Sequence, residues 1–170
     1  MRTLGTLAAL AVAVLAQSAS GGFEWRGTPT VDLVLVVVVY VALTGGPAAG
    51  LVAGTLGGLV QDALSTGILG MGGLAKTVVG FLAGRFGTQF IVTATVPRMV
   101  TFAAATAAHA VLFMGAYALL GLRSFPDPVT AVAIQAAGNG LAGVVCFKLS
   151  EWLPRALERR RATRGMRVSR

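Results

Sequence analysis

Charged residues are scarce in this sequence: they make up 12% of the 170 residues, whereas hydrophobic residues make up 55%. A soluble domain covers its surface with roughly 25% charged residues. This chain has too few to do so, and its mean hydropathy is correspondingly high, at +0.79. We therefore expect its outer surface to face lipid. Because backbone groups in lipid must satisfy their own hydrogen bonds, the sequence predicts an all-α integral membrane protein.

Residues that build reactive sites are equally scarce. The sequence has one cysteine, Cys146, and one histidine, His109. A single cysteine excludes an internal disulfide, and one residue of each kind does not make a zinc site. The sequence also has no phosphate-binding glycine loop followed by Lys-Ser/Thr, and no grouping of a serine with a base and an acid. It therefore predicts no catalytic residue, no cofactor and no metal site.

Six apolar stretches approach the length of about 20 residues that a helix needs to cross a bilayer. Glycines, prolines and polar turn residues separate them. Their approximate bounds are 4–19, 31–44, 47–64, 68–84, 99–122 and 129–152. The third and fourth are joined by a very tight turn, which predicts an antiparallel helical hairpin. We predict a compact, glycine-rich bundle of six transmembrane helices over residues 1–152, followed by a basic cytoplasmic tail over 153–170.

Two segments leave alternatives open. The first apolar stretch has a lone Arg2 and small residues at 16–20, which also fit a cleaved signal peptide. We expect a retained helix, because cleavage would leave five spans and move the N-terminus outside. Residues 86–97 either lie along the inner membrane interface or extend the fourth or the fifth helix.

The distribution of positive charge predicts the orientation of the bundle. With the N-terminus in the cytoplasm, eleven basic residues fall on the inner side, and only Arg26 and Arg123 fall in outer loops. The outer loops also receive three acidic residues, Glu24, Asp32 and Asp127. The positive-inside rule therefore predicts that both termini lie in the cytoplasm, with the protein in the inner (plasma) membrane as a multi-pass protein.

The basic tail carries most of this charge. The last twenty residues contain seven arginines and two glutamates. A basic end after an apolar body is typical of a cytoplasmic tail that binds anionic lipid. Nucleic-acid binding is the weaker alternative, because beyond Trp152 the tail has no aromatic residue to stack on bases, and we predict no nucleic-acid partner. The tail residues expected to contact lipid are Arg155, Arg159, Arg160, Arg161 and Arg164.

Glycines recur at helical spacing on the third and fourth spans. Gly50, Gly54 and Gly58 are four residues apart, and Gly80 and Gly84 repeat the pattern. Small residues at this spacing let helix backbones approach closely in membranes. These glycine stripes either pack the bundle internally or form docking surfaces for a partner's helix.

A few polar residues lie within or near the spans. Charged side chains inside membranes are costly and usually paired, so we expect Asp62 and Lys76 to form an ion pair, or a cap, that fixes the hairpin. The alternative is a ligand or proton site. Gln135 and Asn139 share a helical face because they are four residues apart. Together with His109, we expect them to form interhelical hydrogen bonds worth roughly 1 kcal/mol each.

Between residues 32 and 85 the chain carries a series of short elements in a defined order. They are Asp32-Leu33 at the start of the second span, Gly46-Pro47 entering the third, Gly58-Leu59 with Asp62, the turn glycines Gly67 and Gly70, and Gly80 with Gly84-Arg85 at the end of the fourth. In order and spacing this series resembles the MreD family of bacterial rod shape-determining proteins. The overall length and the number of spans match that family as well.

The resemblance implies a non-catalytic membrane subunit of the bacterial cell-elongation machinery. Such proteins associate with MreC, a single-span periplasmic protein, and sit with MreB filaments, a RodA polymerase and an elongation penicillin-binding protein. Together these proteins direct sidewall peptidoglycan synthesis and maintain rod shape. On this interpretation the partners perform the chemistry, and this chain supplies helix faces for docking.

Two other functions are compatible with the sequence. Six-helix membrane proteins with glycine-rich third and fourth spans also resemble the substrate-binding components of energy-coupling-factor vitamin transporters, in which Asp62, Lys76 and Asn139 would be ligand candidates. The short outer loops argue against this alternative, because they offer few aromatic or hydrogen-bonding groups for a small-molecule pocket. A basic-tailed membrane anchor for some other complex is the third possibility.

Overall fold

Six helices make up most of the computed structural model. It describes residues 2–19, 24–25, 28–29, 31–65, 67–90, 94–122, 125 and 127–168, and for 2–3, 24–25, 28–29 and 153–168 it describes the backbone. The helices are α1 (Arg2–Ala19), α2 (Leu33–Gly45), α3 (Pro47–Ala63), α4 (Met71–Gln89), α5 (Thr95–Leu119) and α6 (Pro128–Val168). They lie where the sequence places the six apolar stretches, so the predicted six-helix architecture is confirmed.

Several boundaries differ from the predicted ones. Helices α4 and α5 extend into the segment 86–97, whose residues 91–93 lie outside the described part of the chain. Helix α6 continues to Val168 and so includes most of the predicted tail. Two short antiparallel strands that the sequence did not predict, β1 (Glu24–Trp25) and β2 (Thr28–Pro29), precede α2.

Two helices are long and apolar enough to cross a bilayer by themselves, namely Thr95–Leu119 and the Pro128–Trp152 part of α6. The apolar parts of α1 and α2, Leu4–Ala19 and Leu33–Gly45, are shorter. Large hydrophobic side chains point outward on the other helices too, including Leu51 on α3 and Leu74 on α4. This outward apolar surface suits a protein surrounded by lipid, and six crossings stay our prediction.

Helix α2 lies at the centre of the bundle and contacts all five other helices. Its sequence is apolar on every side, which is typical of a helix surrounded by protein. Seven of its residues are buried: Val34, Leu35, Val36, Val38, Val39, Val41 and Ala42. One side packs against α4, α5 and α6, and the other packs against Leu10, Ala13 and Val14 of α1. Helix α1 is thus packed against the central helix, and its retention stays a prediction.

The glycine stripes hold α3 and α4 together in the predicted antiparallel hairpin. A Cβ atom added to Gly50 would overlap the backbone of Gly80, and one added to Gly54 would overlap the carbonyl of Lys76. A Cβ on Gly58 would lie 2.5 Å from the Cα of Gly73, and one on Gly84 would lie 2.5 Å from the Cα of Pro47. The two backbones therefore touch along the whole hairpin, as small residues permit.

This arrangement corrects one of the two interpretations of the stripes. Gly50, Gly54, Gly58, Gly80 and Gly84 face a helix of the same chain, so their surfaces are covered and do not dock a partner's helix. The physical reason is that adjacent helices joined by a short turn meet before any external helix can reach these faces.

We predict that Gly54→Ala destabilises the folded protein in detergent by about 1–3 kcal/mol, because the new methyl group meets backbone and forces the helices apart. Gly115→Ala is the matched control, since a Cβ at that α5 position meets nothing within 4 Å. It should be neutral or slightly stabilising. Thermal unfolding of the two purified variants measures the difference, and equal stabilities would show that the close α3–α4 contact is wrong.

Candidate functional site

Helix α2 begins inside the bundle rather than at its end. Its 13 residues rise only about 20 Å, whereas the hydrocarbon core of a bilayer is about 30 Å thick. The residue before it, Asp32, contacts Asn139, which lies about 16 Å along α6 from Pro128 at 1.5 Å per residue. The N-terminus of α2 therefore lies within the bundle, where its free N–H groups need partners.

Side chains from three parts of the chain bind these N–H groups. The Asp32 carboxylate accepts from the Leu35 N–H at 2.9 Å, as an N-cap. The Asn139 Oδ1 accepts from the Asp32 N–H at 2.8 Å. The Gln17 side chain, on α1, accepts from the Leu33 N–H at 2.8 Å and donates to the Val31 carbonyl at 3.0 Å. Helices α1 and α6 are thus fixed to the start of α2.

A buried ion pair joins the same end of α2 to α4. The Lys76 Nζ lies 2.8 Å from the Asp32 Oδ2, and the two side chains are 4% and 3% exposed. The positive end of the α2 dipole adds to the stabilisation of the carboxylate. Because the cost of burying a charge is met only by good pairing and further hydrogen bonds, the capping contact and the lysine both stabilise Asp32 at this depth.

His109 of α5 extends the ion pair. Its Nε2 lies 3.3 Å from the Lys76 Nζ. A lysine ammonium only donates hydrogen bonds, so this contact requires Nε2 as the acceptor and assigns the ring hydrogen to Nδ1. This Nδ1 is buried and has no hydrogen-bond partner among the described residues. The ring also stacks on Phe113, with centroids 5.7 Å apart.

A second set of contacts links α5 to α6. The Asn139 Nδ2 donates to the Thr106 Oγ1 at 2.9 Å, and that hydroxyl donates to the Phe102 carbonyl at 2.8 Å. Asn139 is 1% exposed and Thr106 is also 1% exposed. Asn139 therefore binds α2 through its oxygen and α5 through its nitrogen. We call the set Asp32, Lys76, His109, Asn139 and Thr106 the central polar network; it connects α2, α4, α5 and α6.

Gln135 lies one turn before Asn139 on α6 and is buried, at 7% exposure. It also has a polar or electrostatic contact. The expectation that His109 and Asn139 make interhelical hydrogen bonds agrees with these contacts: His109 binds Lys76 on α4, and Asn139 binds residues of α2 and α5. The side chains of the five tail arginines lie outside the described part of the structure, so their lipid contact stays a prediction.

Asp62 does not belong to this network, and the predicted Asp62–Lys76 ion pair is wrong. The Asp62 Oδ2 accepts from the N–H groups of Gly70 and Gly73, both at 2.9 Å. The carboxylate thus binds free N–H groups at the start of α4 and holds the turn in which Gly70 has a φ of +96°. The alternative expectation, that Asp62 forms a cap that fixes the hairpin, agrees with these contacts.

Asp32 lies at the start of the second predicted span and was counted with the acidic residues of the outer side, but its pairing with Lys76 was not predicted. One signal was present: an aspartate directly before an apolar run is a typical N-cap. The depth at which that run starts was the missing information. Once α2 begins inside the membrane, its capping carboxylate is also the acidic residue that Lys76 contacts.

The network is built to hold helices rather than to carry out a reaction. Lys76 and Asp32 neutralise each other, and Asn139 has protein partners on both its oxygen and its nitrogen. The described residues contain no group of three or more His, Cys, Asp or Glu that could hold a metal ion. The ligand candidates of the transporter alternative, Asp62, Lys76 and Asn139, are all engaged within the chain.

Comparison with known proteins identifies one family. The family model described as rod shape-determining protein MreD matches residues 3–134, which is most of the chain. The matched region includes α1 to α5 and the start of α6. No curated protein and no solved structure matches the chain.

We predict that Lys76→Met destabilises the protein by about 3–5 kcal/mol, because it leaves the Asp32 carboxylate buried without its partner. Adding Asp32→Asn should recover part of this loss, since asparagine keeps the cap and removes the charge. Unfolding in detergent of the two single variants and the double variant gives the coupling energy.

Asp62→Asn is the matched control for this cycle. It alters a carboxylate that caps α4, so its effect should nearly add to that of Lys76→Met. A coupling between residues 62 and 76 as large as that between 32 and 76 would contradict the assignment.

Proposed function

This chain belongs to the MreD family of rod shape-determining membrane proteins, which are non-catalytic, and on that premise we propose how it serves the cell-elongation machinery. It is a multi-pass scaffold of the inner membrane that docks an MreC-like periplasmic protein. An elongation penicillin-binding protein, a RodA-like polymerase and MreB filaments complete the assembly. These partners carry out sidewall peptidoglycan synthesis, and this chain holds them at the membrane.

The central polar network is the structural observation that supports a scaffold. It uses the buried charges to fix four helices relative to one another, at a depth where each unpaired polar group is costly. A surface that positions several partners has to keep its shape, and such a network provides that rigidity. Because the glycine stripes are covered, docking uses side chains that point outward.

The positions of the basic residues support the proposed orientation. Arg85 lies near the end of α4 and Arg98 near the start of α5. The Arg98 Nη2 contacts the Glu151 Oε1 of α6 at 2.8 Å, which brings residue 151 to the same end of the bundle. The tail continues from this end. By the positive-inside rule this is the cytoplasmic end.

Depletion of the protein tests the scaffold role. We expect elongated cells to round up when the protein is depleted, while vitamin uptake stays intact. Wild-type protein should restore rods, and Lys76→Met should fail to do so because its core is destabilised. Gly115→Ala, whose added methyl group meets nothing within 4 Å and removes no side-chain contact, is the control and should restore rods. Rod-shaped depleted cells, or co-purification with a transporter ATPase pair and no cell-wall enzyme, would overturn the proposal.

Reporter fusions test the orientation separately. We expect a fluorescent protein joined after residue 170 to fluoresce, and alkaline phosphatase joined there to be inactive, because the C-terminus is cytoplasmic. Phosphatase joined within the segment 121–127 should be active, since that segment follows α5 on the outer side. The opposite pattern at either position would reverse or remove the six-span topology.

A further inference from the structure

An apolar groove of about 410 Å³ lies between α4 and α5. Its walls include Val79, Leu82 and Phe86 from α4, and Val100, Ala104 and Ala108 from α5. Thr101 is the polar residue of the lining, and its hydroxyl donates to the Pro97 carbonyl at 2.8 Å. The groove therefore presents hydrocarbon surface to whatever occupies it.

The groove has the depth of one leaflet of a bilayer. It extends about 10 Å along α4 from Val79 to Phe86, and about 12 Å along α5 from Val100 to Ala108. One leaflet contributes half of the hydrocarbon core, or about 15 Å. At its deep end the contact between Lys76 and His109 joins α4 to α5. A transmembrane helix of a partner would need a surface that crosses both leaflets, so these dimensions favour a single acyl chain.

Two arginines are close in sequence to residues at the open end of the groove. Arg85 directly precedes Phe86 and is exposed. Arg98 lies two residues before Val100, and its guanidinium is held by Glu151 and lies 4.3 Å from the Phe147 ring centroid. Basic residues at the membrane surface attract anionic headgroups by about 1 kcal/mol each. Because Arg98 is paired with Glu151, Arg85 is the basic residue of the two that is available to a lipid phosphate.

We propose that the α4–α5 groove binds one anionic phospholipid, with an acyl chain between the helices and the phosphate beside Arg85. The cytoplasmic orientation proposed above assigns this lipid to the inner leaflet.

Native mass spectrometry of the full chain tests the site. The protein is released from micelles that contain equal amounts of phosphatidylglycerol and phosphatidylcholine. We expect one phosphatidylglycerol to stay bound to the wild-type protein and to be lost from Ala104→Trp, in which the indole fills the groove. Val111→Trp places the same side chain on the same helix outside the groove, and should retain the lipid. Equal retention by both tryptophan variants would overturn the proposal.

Arg85→Gln tests the headgroup contact without altering the packing, because this side chain is exposed. We expect the preference for phosphatidylglycerol over phosphatidylcholine to fall about fivefold. An unchanged preference would overturn the role of Arg85. A photo-crosslinking residue at position 104 tests the occupant in cells: a phospholipid adduct supports the site, and an adduct with a membrane protein overturns it.

Discussion

The ion pair between Asp32 and Lys76 is the constraint on which the rest of the structure depends. Each charge alone would be costly inside the bundle, where both side chains are buried, and together they require two helices to meet at one point. Asp32 is also the cap of α2, so the pair fixes the depth at which that helix begins. The non-helical residues before α2 therefore belong to the same arrangement. In an uninterrupted helix the N–H groups that Asp32 and Asn139 bind would already be paired within the helix.

Two kinds of contact hold the helices together, each in a different part of the bundle. Helices α3 and α4 meet backbone to backbone through glycine, where close van der Waals contact replaces the hydrophobic effect that lipid removes. Helices α5 and α6 use larger groups: Gly143 receives the Phe102 ring, and Asn139 binds Thr106. Lys76 belongs to both systems, since its backbone packs against Gly54 while its side chain reaches Asp32. Substitution of Gly54 would therefore also disturb the ion pair, and substitution of Asp32 would also disturb the contact between α3 and α4.

The helices and the hairpin could be predicted from the sequence because they depend on local patterns, namely apolar runs, breakers and glycine spacing. The partner of Lys76 could not. Asp62 is closer in the chain and was the natural choice for a tight hairpin, but the N–H groups at the start of α4 take its carboxylate. Asp32 is far away in the chain and reaches Lys76 only because α2 starts deep in the bundle. The sequence shows at which residue an apolar run begins, but not how deep in the bundle that residue lies.

The same network also shapes the surface that the chain offers to its surroundings. Lys76 and His109 join α4 to α5 directly beyond Val79 and Ala108, so their contact bounds the apolar groove between these helices. The contact between Lys76 and His109 thus serves both proposals. It helps to fix the helices of the scaffold, and it bounds the proposed lipid groove. Loss of that contact would remove the side chains that bound the groove at this end. The buried charges would in this way influence lipid binding without touching the lipid.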